Sequence, residues 1–208
     1  MSESLDDNWP MPLFNPGTRD HLHALGVISI TFSAFERSID DLYAIHPRQE
    51  RLPDKLIEMF YFGLSEEARV IAIREVFAIY EKDSAIIAAV NNVLDYFVWC
   101  RDARNKLLHA EHYPALFGGQ PETLYLIKRV GKKNPKPAYM ALKLSELRLI
   151  AENFRHGVAR SAELSLKIRY RHVPPKEVPA SIRPYVEAPV PDPLKIPNRI
   201  ELSSSPVY

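Results

Sequence analysis

The sequence predicts an all-α helical bundle of about five helices, with a β-hairpin before the last helix and an extended proline-rich tail. Apolar residues recur in steps of three and four over most of residues 18–110 and again over 145–170, as in amphipathic helices. Between these regions, at about 123–144, two segments of strand composition flank a turn, which predicts the hairpin. Residues 173–208 hold nine of the 18 prolines and few large apolar residues, so we expect an extended tail without its own core.

Length and composition set the limits of the prediction. A chain of 208 residues is long enough for one domain with appendages: an irregular N-terminal arm at 1–17, a helical domain at 18–172 and the tail at 173–208. The net charge of +1 creates no global field, so any surface for nucleic acid must be a local patch. The single cysteine, Cys100, excludes an intramolecular disulfide. The acidic N-terminus lacks a secretory signal and no apolar run is long enough to span a bilayer, so we expect a cytoplasmic protein without membrane association.

The helices are expected to begin after capping residues, which are Thr18, Ser65, Asp83 or Ser84, and Ser145. The predicted segments are 18–45, 53–64, 65–81, 84–110 and 145–170. His46-Pro47 is expected to end the first helix, because the residue before a proline avoids the α region.

The end of the fourth predicted helix interrupts its own apolar pattern. The buried stripe of that helix consists of Ile86, Val90, Val93, Phe97 and Cys100. Continued in the same steps, it reaches Arg104, and a neighbouring stripe reaches Arg101 and Asn105. Placing a guanidinium where packing favours a hydrocarbon costs several kcal/mol unless the charge is paired or hydrated. Exceptions of this kind often mark functional sites, so this helix end is the candidate site.

Three residues of this stretch suit the cleavage of an RNA phosphodiester without a metal. Asn105 and His109 lie on one helix face, and Arg104 lies about 140° from His109 but is long enough to swing towards it. A histidine can take the proton of a ribose 2′-hydroxyl, and an arginine can bind the phosphate and stabilise its developing charge. Asparagine supplies a neutral hydrogen bond that orients either partner. The product would be a 2′,3′-cyclic phosphate, so the substrate would be RNA.

The segment Arg104-Asn-Lys-Leu-Leu-His109 resembles the motif of the HEPN superfamily, in which an arginine and a polar residue precede a histidine at the end of a long helix. The first helix, with His23-Ala-Leu-Gly26 and Phe35-Glu-Arg37, is similar to the opening helix of bacterial members. The order of motif, hairpin and a final helix beginning Leu144-Ser-Glu-Leu147 is similar as well. The resemblance spans roughly residues 18–170.

The resemblance implies a bundle that forms a homodimer, with two Arg/His pairs in one composite cleft. Many members are metal-independent ribonucleases that need no cofactor, often toxins or antiphage effectors with an antitoxin or another protein partner; others bind RNA or nucleotides without cutting. Carried over to this chain, Arg104 and His109 would be catalytic and Asn105 their polar companion. Glu36 of the first helix could order Arg104 or Arg101.

The region around the hairpin is basic. Between residues 124 and 145 there is no acidic residue, and the basic ones are Lys128, Arg129, Lys132, Lys133, Lys136 and Lys143. Such a patch can follow an RNA backbone, but a solvated hairpin tip has the same composition.

Other interpretations remain open at the sequence level. The residues around Arg104 can also form a structural polar cluster that closes the helix end. His109 and His112 have a spacing that permits a metal site, but no third ligand lies nearby. The tail can wrap the body, or it can dock on an aromatic groove or a partner subunit.

Overall fold

The computed structural model describes residues 19–112, 123–131 and 134–205. Within these residues the helices are α1 (Arg19–Gln49), α2 (Asp54–Phe62), α3 (Glu66–Tyr80), α4 (Ser84–Leu108), α5 (Leu144–Tyr170) and α6 (Arg183–Glu187). The strands are β1 (Glu111–His112), β2 (Thr123–Val130) and β3 (Lys136–Lys143). The predicted helical bundle with a hairpin before the last long helix is confirmed. The predicted arm at 1–17 and the Thr18 cap lie outside the described residues.

The two longest helices, α1 and α5, form the centre of the bundle and run in the same direction. Arg148 near the start of α5 forms an ion pair of 3.3 Å with Asp20 near the start of α1. Further along both helices, Gly157 faces Phe35 so closely that a Cβ at position 157 would lie 2.4 Å from the ring. The glycine therefore sets the distance between the two helices.

Helix α4 packs against this pair and runs opposite to α1. The Phe32 and Phe97 rings stack at 5.5 Å between centroids, and Phe35 meets Phe97 edge-on at 5.2 Å. On the α5 side, Trp99 meets Phe154 edge-on at 6.1 Å. Because the helices are antiparallel, the C-terminal end of α4 lies beside the first half of α1.

No described helix is long and apolar enough to cross a membrane.

The predicted end of α1 and the predicted start of α5 are wrong. Helix α1 continues through Pro47 to Gln49 instead of ending at Ile45. The steric preference before proline is outweighed because His46, only 3% exposed, is buried edge-on against the Phe77 ring at 4.7 Å. Helix α5 begins at Leu144 and is not capped by Ser145. There the Lys143 main-chain N–H donates to Glu146 Oε2 over 2.7 Å.

The hairpin is part of a three-stranded antiparallel sheet in the order β1-β2-β3. Leu126 of β2 pairs with Met140 of β3, and both side chains are buried against the helices. The short β1 pairs with β2 through Glu111 and Ile127. Helix α4 therefore ends at Leu108 rather than Ala110, because the chain has to turn into β1.

The proline-rich tail lies on the body of the same chain and is not wholly extended. It contains α6, which the composition did not predict. Lys167 of α5 donates to the main-chain carbonyls of Val186, at 2.9 Å, and Ala188. We call residues 189–205 the strap. Its apolar side chains that pack against the core are Val190, Leu194, Ile200 and Leu202.

Side chains of α4 hold the strap by its main chain. Asn92, Trp99 and Lys106 follow one another at intervals of seven residues, so they lie on one face of α4. They bond the main chain of Leu194 (3.0 and 2.7 Å), Asn198 (3.1 Å) and Ile200 (2.9 Å), respectively. Beyond α4, Ser203 and Tyr139 of β3 exchange two main-chain hydrogen bonds of 2.8 Å. The strap thus runs along α4 from its start to its end and joins the edge of the sheet.

Candidate functional site

The candidate site is the C-terminal end of α4, where the helix leaves the core. At about 100° per residue, Asp102, Asn105, Lys106 and His109 fall within an arc of about 100° around the helix axis. Arg104 projects from the opposite side, towards α1. The sequence therefore divides this helix end into a buried side and an accessible side.

Arg104 is half-buried and is held by two contacts. Its guanidinium carbon lies 5.4 Å from the centre of the Phe32 ring on α1. Its Nη1 donates to Asn105 Oδ1 over 2.9 Å, while its Nε is buried without a hydrogen-bond partner among the described residues. The aromatic face explains how a cation is accommodated in an apolar stripe, since such contacts stabilise by about 1 kcal/mol. The bond to Asn105 turns the end of the side chain towards the accessible side of the helix.

Glu36 lies on α1 within electrostatic reach of Arg104. Burial raises the pKa of the Glu36 carboxyl, the charge of Glu66 raises it further, and the positive charge of Arg104 acts in the opposite direction. Within the part of the chain that the structure describes, neither an ion pair nor a hydrogen bond joins Glu36 to Arg104. Glu36 therefore influences the field at Arg104 without fixing its position.

Arg101 has a different partner from the one expected. Its side chain is 13% exposed, and its Nη2 lies 3.8 Å from Asp102 Oδ1 on the same helix. The neighbouring carboxylate compensates part of its charge, so Arg101 contributes less to the site than Arg104.

His109 is the residue at which α4 ends. It is exposed, and its backbone (φ −103°, ψ 16°) leaves the helical conformation. It lies about 40° from Asn105 around the axis and about 140° from Arg104, with about 7.5 Å of helical rise between Arg104 and His109. Among the described residues no hydrogen bond joins His109 to Asn105 or Arg104. The structure thus brings Arg104 and Asn105 together, and His109 is exposed on the Asn105 side of the helix, away from Arg104.

Two lysines flank this helix end, and one of them, Lys106, is not among the residues predicted from the sequence. Lys128 of β2, predicted as part of an RNA-binding patch, donates from Nζ to the Asn105 carbonyl over 2.6 Å. Burial lowers the pKa of Lys128, the nearby charge of Lys106 lowers it further, and Asp102 opposes both effects. Lys106 lies beside His109 on the accessible side and donates to the strap at Ile200. Its place on the same helix face as Asn105 and His109 could have identified Lys106 from the sequence.

Two other members of the predicted basic patch lie near the tip of the hairpin. Arg129 and Lys136 are exposed at the far end of the hairpin, where Arg129 pairs with Pro137 and Val130 with Lys136. Lys132 and Lys133 lie outside the described residues. Among the described residues of the hairpin, Lys128 is the one whose side chain bonds to the end of α4.

Neither a metal-binding cluster among the described residues nor a match to a known protein identifies the site. Within residues 19–112, 123–131 and 134–205, no three histidine, cysteine, aspartate or glutamate side chains are grouped so that they could hold a metal ion. The side chain of His112, one half of the possible metal pair, lies outside the described residues. Comparisons of the chain with protein-family models, with curated proteins and with solved structures found no match.

Proposed function

We propose that the end of α4 is a metal-independent endoribonuclease site of the HEPN type. The observation that carries the proposal is the 2.9 Å hydrogen bond from Arg104 Nη1 to Asn105 Oδ1. It turns a guanidinium anchored on the core towards the helix face on which His109 is accessible. A fixed cation and an accessible imidazole at one helix end are the two groups that phosphodiester cleavage requires.

In the proposed reaction His109 takes the proton of a ribose 2′-hydroxyl, and the 2′-oxygen attacks the adjacent phosphorus. The bond from phosphorus to the 5′-oxygen breaks, leaving a 2′,3′-cyclic phosphate and a 5′-hydroxyl. The leaving 5′-oxygen takes a proton from a protonated imidazole or from water. Arg104 binds the non-bridging oxygens, where negative charge develops, and the Lys106 and Lys128 ammonium groups add positive charge nearby.

The proposal includes a homodimer in which two helix ends face one composite cleft. Arg104 and His109 of one chain lie on different sides of α4, so a second copy can place its own His109 opposite Arg104. A cytoplasmic toxin or antiphage effector, restrained by an antitoxin or another protein partner, is the corresponding biological role.

A digestion of total RNA in the presence of EDTA tests the activity. Wild type should release fragments that end in 2′,3′-cyclic phosphate, and Arg104→Ala and His109→Ala should each lower the rate by about 10²-fold or more. The matched control is His156→Ala, since His156 is an exposed histidine on α5 away from the site. Its rate should equal that of the wild type. Loss of cleavage on adding EDTA, or an unchanged rate in His109→Ala, would refute the proposal.

One observation favours a second candidate, a non-catalytic RNA-binding or protein-interaction module. The Lys106 and Lys128 Nζ atoms both donate to main-chain carbonyls, which is a structural use of the cations near the site. This candidate predicts a folded dimer that binds RNA or a protein equally well as wild type and as His109→Ala, without cleavage products. It further predicts that truncation at Val173, which removes the tail, abolishes binding of a protein partner.

A further inference from the structure

The strap meets the candidate site at Lys106. The Nζ atom of this lysine donates to the Ile200 carbonyl over 2.9 Å. Among the described residues no carboxylate forms an ion pair with Lys106, and Asp102, one turn earlier on α4, lies beside Arg101 instead. The ammonium group is therefore bonded to a neutral group of the strap and lacks a negative partner in the described part of the chain.

A second ammonium group lies close to that of Lys106. Lys128 of β2 donates from Nζ to the main-chain carbonyl of Asn105, the residue directly before Lys106. Burial is the main cause that lowers the pKa of Lys128, and the charge of Lys106 lowers it further, so the two ammonium groups repel each other. A phosphate offers both lysines a hydrogen-bond acceptor together with the negative charge that a carbonyl lacks.

The bond to Ile200 holds the Lys106 side chain on the side of α4 that the strap covers. At about 100° per residue, Lys106 lies about 60° from His109 and about 100° from Asn105 around the helix axis. A phosphate that Arg104 binds on the Asn105 side of the helix therefore draws the Lys106 ammonium away from Ile200. The strap and such a phosphate compete for one cation.

The contacts of the strap allow it to be displaced. Its apolar side chains that pack on the core are each only partly buried, and they are Val190, Leu194, Ile200 and Leu202. Its bonds to α4 and β3 are hydrogen bonds of main-chain groups, which water satisfies almost as well. Its net charge is zero, from the two acidic and two basic residues Asp192, Glu201, Lys195 and Arg199. Lifting the strap thus frees Lys106 without changing the net charge around the site.

We propose that the strap is an autoinhibitory segment, whose Ile200 carbonyl holds Lys106 until an RNA phosphate at the end of α4 takes its place. The inference rests on the proposed function in one respect, since it takes the end of α4 to be an RNA site; it does not require cleavage. Because binding equilibria are reciprocal, a loosened strap raises the affinity for RNA, and bound RNA loosens the strap by the same factor.

The first test uses the wild-type chain and a fluorescein-labelled 2′-O-methyl RNA of about 12 nucleotides. This probe lacks the 2′-hydroxyl and is not cleaved by the proposed reaction. At saturating probe, trypsin should cut after Lys195 and Arg199, both exposed in the strap, about threefold faster or more. Cleavage after Lys176, exposed in the tail before the strap, is the control and should change less than about twofold. Probe that binds without accelerating cleavage of the strap would overturn the proposal.

The second test loosens the strap far from the site. Asn92→Ala removes both hydrogen bonds to Leu194, at the opposite end of α4 from Lys106. Fluorescence anisotropy should show probe affinity about threefold higher or more, and a salt dependence steeper by about 0.7, the slope for one further phosphate contact on a single strand. Asn91→Ala is the matched control. It removes a bond of 2.8 Å to Arg74 of α3, leaves the strap in place and should bind the probe like the wild type.

A double-mutant cycle shows whether Lys106 carries the effect. In Lys106→Gln the amide still donates to Ile200 but has no charge, so adding Asn92→Ala should change the affinity less than about twofold. A gain that persists in the Lys106→Gln background would overturn the exchange, and so would an Asn92→Ala chain that trypsin cuts faster in the strap but that binds the probe no better. Circular dichroism confirms that the variants are folded.

The outcomes separate this inference from the ribonuclease activity. Coupling between probe and strap, together with no cleavage of natural RNA, supports the autoinhibitory strap and refutes the ribonuclease. Cleavage that depends on His109 but is accompanied by no coupling supports the ribonuclease and overturns the autoinhibitory strap. A wild type and an Asn92→Ala variant that both fail to bind the probe at about 0.1 mM would overturn both proposals.

Discussion

Replacing Glu81 with glutamine removes one charge from a buried ion pair that joins two segments of the chain. The Glu81 side chain is 1% exposed. Its Oε1 accepts the main-chain N–H groups of Lys82 (2.8 Å) and Asp83 (2.9 Å), and Nη1 of Arg171 (2.8 Å). Nη2 of Arg171 lies 2.7 Å from Oε2. The carboxylate thus links the turn before α4 to the end of α5.

The expected loss in the free energy of unfolding follows from the burial of Glu81 and Arg171. Breaking a buried pair by removing one charge costs about 3–5 kcal/mol, because the other charge remains in the protein without compensation. Arg171 keeps 21% of its side chain exposed and is partly hydrated, so we expect the lower end, about 3 kcal/mol. Glu152→Gln is the matched control. It breaks the Arg155 pair, whose side chains are 71% and 53% exposed, and should cost at most about 0.5 kcal/mol.

The loss in the free energy of unfolding caused by Glu81→Gln should depend on pH. Burial raises the pKa of Glu81, but the hydrogen bonds from Arg171 and from the main chain outweigh burial, so the pKa lies below its usual value. A carboxyl with a depressed pKa stabilises the fold fully above the unfolded value of about 4.3, and its contribution is lost as the pH falls through the folded value. Urea unfolding at pH 7 and below pH 4 should therefore show a difference from the wild type that shrinks on acidification. A loss under 1 kcal/mol at pH 7, or a difference independent of pH, would refute the reasoning.

Gly157→Ala should lower the free energy of unfolding by about 1–3 kcal/mol, measured by thermal denaturation, because its Cβ would lie 2.4 Å from the Phe35 ring. Gly26→Ala, which meets nothing within 4 Å, is the control, and equal effects would contradict this. Burial lowers the pKa of His46, so the unfolded chain binds its proton more readily and stability should fall as the pH drops below about 6.5. His46→Phe should flatten urea stability between pH 7 and pH 5, and an unchanged slope would argue against this role. Asn92→Ala removes both hydrogen bonds at the start of the strap, so limited proteolysis should cut the strap faster while the helical core persists. Equal protection in the variant would show that these bonds do not hold the strap.

The helical bundle could be predicted because apolar periodicity reports directly which side of each helix is buried. The end of α1 could not, because the rule for the residue before Pro47 is local and the burial of His46 against Phe77 is a tertiary effect. Helix α6 was missed for a related reason. Its proline-rich composition indicates an extended chain, whereas Lys167 of α5 holds the carbonyl groups of that segment in place.

At the candidate site, the sequence indicated which residue types are present but not where their side chains point. The break in the apolar stripe identified Arg104, and the structure adds that Phe32 and Asn105 accommodate the guanidinium. The approach of Lys128 from the sheet depends on strand register, which composition does not specify. The sequence did not show that one apolar side of α2 is exposed, because periodicity cannot distinguish a buried stripe from one that is left uncovered.

The strap is constrained in length rather than in composition. From Asn92 to Lys106, fourteen residues of α4 rise about 21 Å. From Leu194 to Ile200, six residues of nearly extended chain cover about 19–20 Å. Because α4 binds main-chain carbonyl groups, which every residue carries, and one N–H group, which every residue except proline carries, most substitutions along this stretch leave these hydrogen bonds intact. Deleting a single residue shortens the span by about 3 Å and removes an anchor at one end. The strap therefore matches α4 in length, and an insertion or deletion between its anchors should weaken it more than a substitution that keeps Leu194 and Ile200 apolar.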